Sequence, residues 1–246
     1  MGWKNKLAQQ ITVLSIVLTL AFSATAMAAN LQIVAGGGYK KPMLAVIQAY
    51  QAQTNQSVEA GFGNMRQIIS QATASSQIAL VIGDKKFLEK ESFLVDFHTL
   101  GQGKLVIAWA HNSHAILQAK DLTDSTISRI AHPDVKKAVY GQAAIEWMTS
   151  QNLLGILEGK LIQTATVPQV SAYLVAREVD AGFINITDAI GLGDRIAGYT
   201  ELDTGYTPIT IVAGVVHGHE NDQQVKDFLQ FLTLETAKHI FEEYGM

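Results

Sequence analysis

A chain of 246 residues with 18 Lys and Arg against 22 Asp and Glu carries a formal net charge of −4. That balance offers no bulk attraction for nucleic acid or for anionic lipid. The absence of cysteine excludes disulfides, thiolate metal sites and a cysteine nucleophile.

The first residues read as an export signal. Lys4 and Lys6 form a positive n-region, Ile11 to Phe22 is an apolar run short of a membrane span, and Ala26-Met27-Ala28 is a small-x-small cleavage pattern. Residues 1–28 are therefore expected to be removed, leaving a mature chain that begins at Ala29 in the periplasm. No cysteine follows the apolar run, so no lipid anchor is expected. No later segment is long and apolar enough for membrane insertion of the mature chain. What remains is ample for one large domain or two smaller lobes.

Strand and helix signals then alternate. Leu31–Ala35 predicts a strand, and a helical pattern opens near Lys40, with Met43, Val46, Ile47 and Tyr50 on one face. Val58–Phe62 predicts a second strand, Arg66–Ala72 a helix and Ile78–Ile82 a third strand ending at Gly83-Asp84. Lys104–Ala110 predicts a strand, followed by a polar stretch over 112–125. Ile127–Ala131 predicts another strand, stopped by Pro133, and Val135–Thr149 a helix. Leu161–Ala165 and Gly182–Ile186 predict strands on either side of a helix at Gln169–Arg177. Ile209–Val216 predicts the last strand, and helices at Asp222–Leu232 and Glu235–Tyr244 close the chain before Gly245. This alternation predicts an α/β fold of sheets flanked by helices.

The stretch Gly36-Gly37-Gly38-Tyr39 joins the first strand to the first helix. Glycines permit close backbone approach, and the first N–H groups of a helix lack intrahelical partners. Together they make a concave set of donors suited to an anion at the carboxyl end of a strand. Other motifs carry less. His111-x-x-His114 and His217-x-His219-Glu220 have metal-like spacings but no third ligand. Gly155 to Lys160 is one residue short of a phosphate loop. No Gly-x-Ser-x-Gly elbow or acid–base pair supports an enzyme, and no cofactor is expected.

Several stretches, in order, carry a resemblance: Leu31 to Lys41, Gly83-Asp84, Gly103 to Ala108, Val179 to Ala189, and the tail from Val225 through Gly245. In these the chain resembles the periplasmic molybdate-binding proteins that serve ABC importers, over essentially the whole mature length. The resemblance implies a type II periplasmic-binding-protein fold, each lobe a sheet flanked by helices, with the ligand in the cleft. Lobe one would comprise 29–110 plus 212–246 and lobe two 111–211, with hinge closure on a ligand.

The same resemblance places Gly38, Met65 and Asn185 where the family has two serines and a tyrosine that donate to the oxyanion. Backbone donors are expected at Gly38, Met65, Ala138, Val139 and Val170. Side-chain compensation is expected from Tyr39, Asn64, Ser171 or Asn185, or from the cations Arg66, Lys40, Lys136 and Lys137. The expected function is capture of a tetrahedral oxyanion, molybdate or tungstate, for an ABC transporter permease, by a monomer. The alternative is a small organic anion, a carboxylate or phosphate ester, in the same fold, in a sensory rather than an uptake role.

Overall fold

The computed structural model describes residues 30–246, so the expected signal segment and its cleavage point lie outside the described residues. The chain builds two five-stranded sheets. The first holds β1 (Leu31–Gly36), β2 (Val58–Gly63), β3 (Ile78–Asp84), β4 (Leu94–Gly103) and β10 (Ile209–Val216), in the order β2-β1-β3-β10-β4. The second holds β5 (Leu105–Trp109), β6 (Ile130–Pro133), β7 (Leu161–Thr164), β8 (Ala181–Asn185) and β9 (Gly198–Leu202), in the order β7-β6-β8-β5-β9. In each sheet four strands run in one direction, and one, β10 in the first and β5 in the second, runs against them between two of the others.

The helices lie between the strands and beyond them. They are α1 (Lys40–Thr54), α2 (Met65–Ala74), α3 (Lys85–Leu88), α4 (Val139–Ser150), α5 (Leu154–Leu157), α6 (Val167–Ala176), α7 (Ile186–Leu192), α8 (Gln223–Leu232) and α9 (Glu235–Glu243). The central strands β3 and β8 are buried at every residue, as expected for strands covered by helices on both faces. Tyr50 of α1 packs edge-on against Phe228 and Phe231 of α8, which binds the C-terminal helices to the first lobe.

Two strands escaped the sequence reading. β4 and β9 are edge strands with alternating exposed residues, so neither has a continuous apolar run. The lobe boundary moves with them. Leu105–Trp109, assigned from sequence to lobe one, pairs with β8 and β9 in the second sheet. The chain thus crosses between sheets at Lys104, and returns through residues 203–208 to β10. Leu105 N–H donates to the Tyr206 hydroxyl at 3.1 Å, tying the two crossings side by side. Ile127–Ala131 also shifts: the strand is Ile130–Pro133, and Pro133 is its last residue instead of its stop. The residues at 135–138 form a turn, and the helix expected from Val135 begins at Val139.

Candidate functional site

Four βα turns converge where the two lobes meet. β1 ends in Gly36 and passes through a tight turn, Gly37–Tyr39, into α1. β2 ends at Gly63, and Asn64 caps α2. β6 leads through the 134–138 turn to α4, and β7 leads to Thr166, which caps α6. The cavity between them is lined by Gly36 to Tyr39, Gly63 to Met65, Ala138 to Tyr140, and Thr166 with Val167. Its volume is about 30 Å³, above the ~10–15 Å³ that one ordered water needs.

Each of these turns has a local cause. Asn64 and Gln67 form a capping box: Asn64 Oδ1 accepts from Gln67 N–H at 3.0 Å, and Gln67 Oε1 accepts from Asn64 N–H at 2.9 Å. Thr166 Oγ1 accepts from Gln169 N–H at 3.3 Å, and Pro168 sits in the first turn, where its missing N–H costs nothing. Helix starts leave N–H groups outward and carry the positive end of the dipole, so four of them around one cavity favour an anion. No lysine or arginine is among the lining residues. The positive potential there comes from backbone dipoles.

The lobes are joined across this cavity by hydrogen bonds. Met65 N–H donates to the Lys137 carbonyl at 3.0 Å. Asn185 Nδ2 donates to the Gly38 carbonyl at 2.7 Å, and Thr187 Oγ1 donates to the same oxygen at 2.7 Å. Asn185 Nδ2 also bonds Thr187 Oγ1. Tyr39 and Tyr140 meet through their hydroxyls at 3.5 Å with their rings edge to face. Burial holds both phenols above their ordinary range, so both remain protonated donors.

An ion pair joins α1 to α7. Lys41 Nζ stands 2.9 Å from Asp188 Oδ1 and 3.2 Å from the Asp188 carbonyl, with Ser171 Oγ on the other carboxylate oxygen. Gly191 makes room for this arm, since a Cβ there would lie 2.2 Å from Lys41 Cδ. Asp188 is 8% exposed and Lys41 31%. Lys41→Met is expected to cost about 1–2 kcal/mol, below the usual ~3–5 for breaking a buried pair because Lys41 is partly solvated. Thermal melting should show a fall of roughly 2–8 °C, with a larger radius of gyration as the lobes part.

The structure sorts the residues expected from sequence. Gly38, Tyr39, Asn64, Met65, Ala138 and Val139 line the cavity. The Asn64 side chain is occupied in capping α2, and the Met65 N–H is taken by Lys137. Met65's thioether packs in the lobe-one core over Gly83, where a Cβ would lie 2.6 Å from Met65 Cε. Val170 and Ser171 lie one turn behind the cavity. Val170 N–H bonds the Thr166 carbonyl, its side chain fills the space over Gly182, and Ser171 serves Asp188.

Asn185 is a lobe-to-lobe clasp on Gly38 and is not among the lining residues. Arg66, Lys40, Lys136 and Lys137 are exposed, Lys40 lying over the Phe62 ring at 5.9 Å and Lys137 beside Asp134 at 3.5 Å. None of the four lines the cavity, because helix-start cations extend into solvent while the backbone faces inward. Sequence reasoning caught the Gly36–Gly38 loop but missed Gly63, Tyr140, Thr166, Val167 and the donor Thr187. Thr166 followed by Pro168 and Gln169 is a readable helix start that would have placed the fourth turn correctly.

The histidine pairs do other work. His111 Nε2 is 2.7 Å from the Asp194 carbonyl, and His217 and His219 pair with Glu220 and Asp222. Among the described residues no three His, Asp or Glu converge in a metal-binding group, and no helix is long and apolar enough to cross a membrane.

Comparison with known proteins agrees with the two-lobed fold. The chain is 26% identical over 242 residues to the molybdate-binding protein ModA of Rhodobacter capsulatus, covering 95% of this chain and 94% of the relative. It superposes on the periplasmic molybdate-binding protein of Azotobacter vinelandii with a TM-score of 0.80 at 21% identity, covering 88% and 98% of the two chains. It also shares the fold of PEB3 of Campylobacter jejuni, whose L-phospholactate-bound structure gives a TM-score of 0.70 at 14% identity, covering 88% and 98%. The family model for bacterial extracellular solute-binding proteins matches residues 31–246. This chain is a member of that solute-binding family.

Proposed function

We propose that this protein captures a small tetrahedral oxyanion of the molybdate or tungstate type between its lobes, in the periplasm, and presents it to the permease of an ABC importer. The observation that carries this reading is the convergence of four helix starts on one small cavity without a lysine or arginine in its lining. Hydrogen bonds to an ion are stronger than neutral ones, so a ring of backbone donors can hold a dianion with no countercharge. The N–H groups of Gly38, Tyr39, Val139, Tyr140 and Val167 are the proposed donors. The phenols of Tyr39 and Tyr140 take the place of the hydroxyls that the family supplies at positions 38, 65 and 185.

One feature favours a small organic anion instead. Met65, Val139 and Val167 give the cavity apolar walls, and PEB3, with the same fold, binds L-phospholactate. The ring of backbone donors without a lysine or arginine in the lining favours the compact ion. Calorimetric titration with molybdate, tungstate, sulfate, phosphate and small carboxylates tests the two. Molybdate or tungstate is expected to bind with a Kd of roughly a micromolar or tighter, with sulfate far weaker and a fall in radius of gyration at saturation. Silence toward both metal oxyanions with a response to a carboxylate or phosphate ester would replace the first reading by the second.

A further inference from the structure

Lobe two grips lobe one through α7, a short helix buried over most of its length. Its first residue stands beside the crossing, where Ile186 N–H donates to the Lys104 carbonyl at 3.0 Å. One face carries Thr187, which donates to the Gly38 carbonyl, and Gly191, which admits the Lys41 arm. At 3.6 residues per turn, Ile186 and Ile190 share a different face, turned about 100° from the first.

That second face meets a turn of lobe one. At the end of α9 two hydrogen bonds nest: Met246 N–H donates to the Phe241 carbonyl at 3.0 Å, and Gly245 N–H to the Glu242 carbonyl at 2.8 Å. Such a turn needs a left-handed residue just past the cap, and Gly245 supplies it with a φ of 74°. The nested bonds fix where both residues lie. A Cβ on Gly245 would lie 2.8 Å from Ile186 Cγ1, 3.2 Å from Ile186 Cγ2 and 3.3 Å from Ile190 Cδ1. Met246 backs onto β4. A Cβ on Gly101 would lie 3.2 Å from the Met246 carbonyl carbon and 3.3 Å from its Cβ. Gly101 stands just before the crossing at Lys104, so this stack lies alongside the hinge.

Lobe one therefore seats α7 in a corner with two walls. The start of α1 makes one, through the Gly38 carbonyl and the Lys41–Asp188 pair. The turn at 245–246 makes the other, through close apolar contact.

We propose that Gly245 and Met246 are positioning residues for the ligand cleft: their contact with Ile186 and Ile190 sets how far α7 settles into lobe one, and so the angle at which the lobes close on an anion. Ile186 lies in sequence between Asn185 and Thr187, the two residues that hold the Gly38 carbonyl. A push on Ile186 is passed directly to that clasp, and Gly38 lines the cavity. Packed contacts do not compress, so an atom added at the seat must displace one of the two bodies. Met246 is backed by β4 and Gly245 is tied to α9, which leaves α7 as the body that moves. Hydrogen bonds weaken steeply as their geometry departs from the ideal, so a small shift of α7 is read as lost affinity. For its ligand the inference rests on the anion reading of the cleft; for the lobe angle it does not.

Two substitutions approach the seat from opposite sides. Gly245→Ala sets a methyl directly against Ile186 and strains a left-handed residue. Gly101→Ala has no such strain and presses on Met246 from β4. The measurements are calorimetric titration with molybdate and small-angle scattering of the ligand-free chain, both well below the melting temperature of each variant. Molybdate affinity is expected to fall about tenfold in Gly245→Ala and about threefold in Gly101→Ala, with a larger ligand-free radius of gyration in both. A turn that only stabilises α9 would lower the melting temperature and leave affinity and radius at their wild-type values. That result overturns the proposal, as does a larger radius with unchanged affinity. Should Gly245→Ala fail to fold, Gly101→Ala decides by the same two readings. If the wild type binds neither molybdate nor tungstate while the variants still enlarge the radius, the anion reading falls and the seat stands.

Discussion

Gly38→Val is expected to abolish oxyanion binding, at least a hundredfold in Kd, while leaving each lobe folded. A Cβ at this position would lie 2.8 Å from Asn185 Nδ2, the group that grips the Gly38 carbonyl. The isopropyl group would therefore hold the lobes apart at the point where they close, and would crowd the N–H groups of the first loop. A hundredfold loss is about 2.7 kcal/mol, since each tenfold is ~1.4. That is comparable to removing a charge-assisted bond together with part of the closure energy. The check is titration with molybdate beside circular dichroism and thermal melting of the ligand-free variant. Undiminished affinity would remove the first loop from the site.

The same contact ties the residue at position 38 to the residue at position 185. A serine at position 38 would bring a Cβ and a hydroxyl into the space of the Asn185 amide. A tyrosine at position 185 would lack the amide that, with Thr187, now holds the Gly38 carbonyl. Glycine on one lobe and asparagine on the other form a matched pair, held by one clasp.

Gly141→Ala is expected to be the most destabilising single methyl in lobe two. Its Cβ would lie 2.3 Å from the Pro133 carbonyl oxygen and 2.6 Å from that of Asp134. Both are backbone atoms, so no rotamer change relieves the clash. Overpacking costs typically ~1–3 kcal/mol, and a rigid backbone partner puts this case near about 3. The relief available is a shift of the α4 start away from β6, which would carry Ala138, Val139 and Tyr140 out of the cavity. Denaturant unfolding should therefore show the loss of stability and titration should show weakened binding in the same variant. A protein with unchanged midpoint and affinity would mean that the 134–138 turn yields freely.

The main lines of the fold were legible because they are local. β3 and β8 are continuous apolar runs, and α1 has its buried face at Met43, Val46, Ile47 and Tyr50, the spacing a helix requires. The glycine loop was readable as a donor-rich turn because three glycines between a strand and a helix have few other uses. Edge strands β4 and β9 were not legible, since half their residues face solvent and no periodicity in apolar residues survives. Missing β4 displaced the lobe crossing, because β4 and β5 read as one strand beginning near Lys104 when only one of them is apolar throughout.

Within the site, the sequence by itself determined the parts that are fixed within a few residues: the glycine turn and the absence of cysteine chemistry. What each polar group does was decided only by tertiary structure. Asn185 and Gly38 are 147 residues apart, and their bond exists because two lobes meet. The Met65 N–H looked free at a helix start until Lys137 of the other lobe claimed it. Local spacing sets where a helix begins, but hydrogen-bond partners and desolvation depend on what packs there from far along the chain.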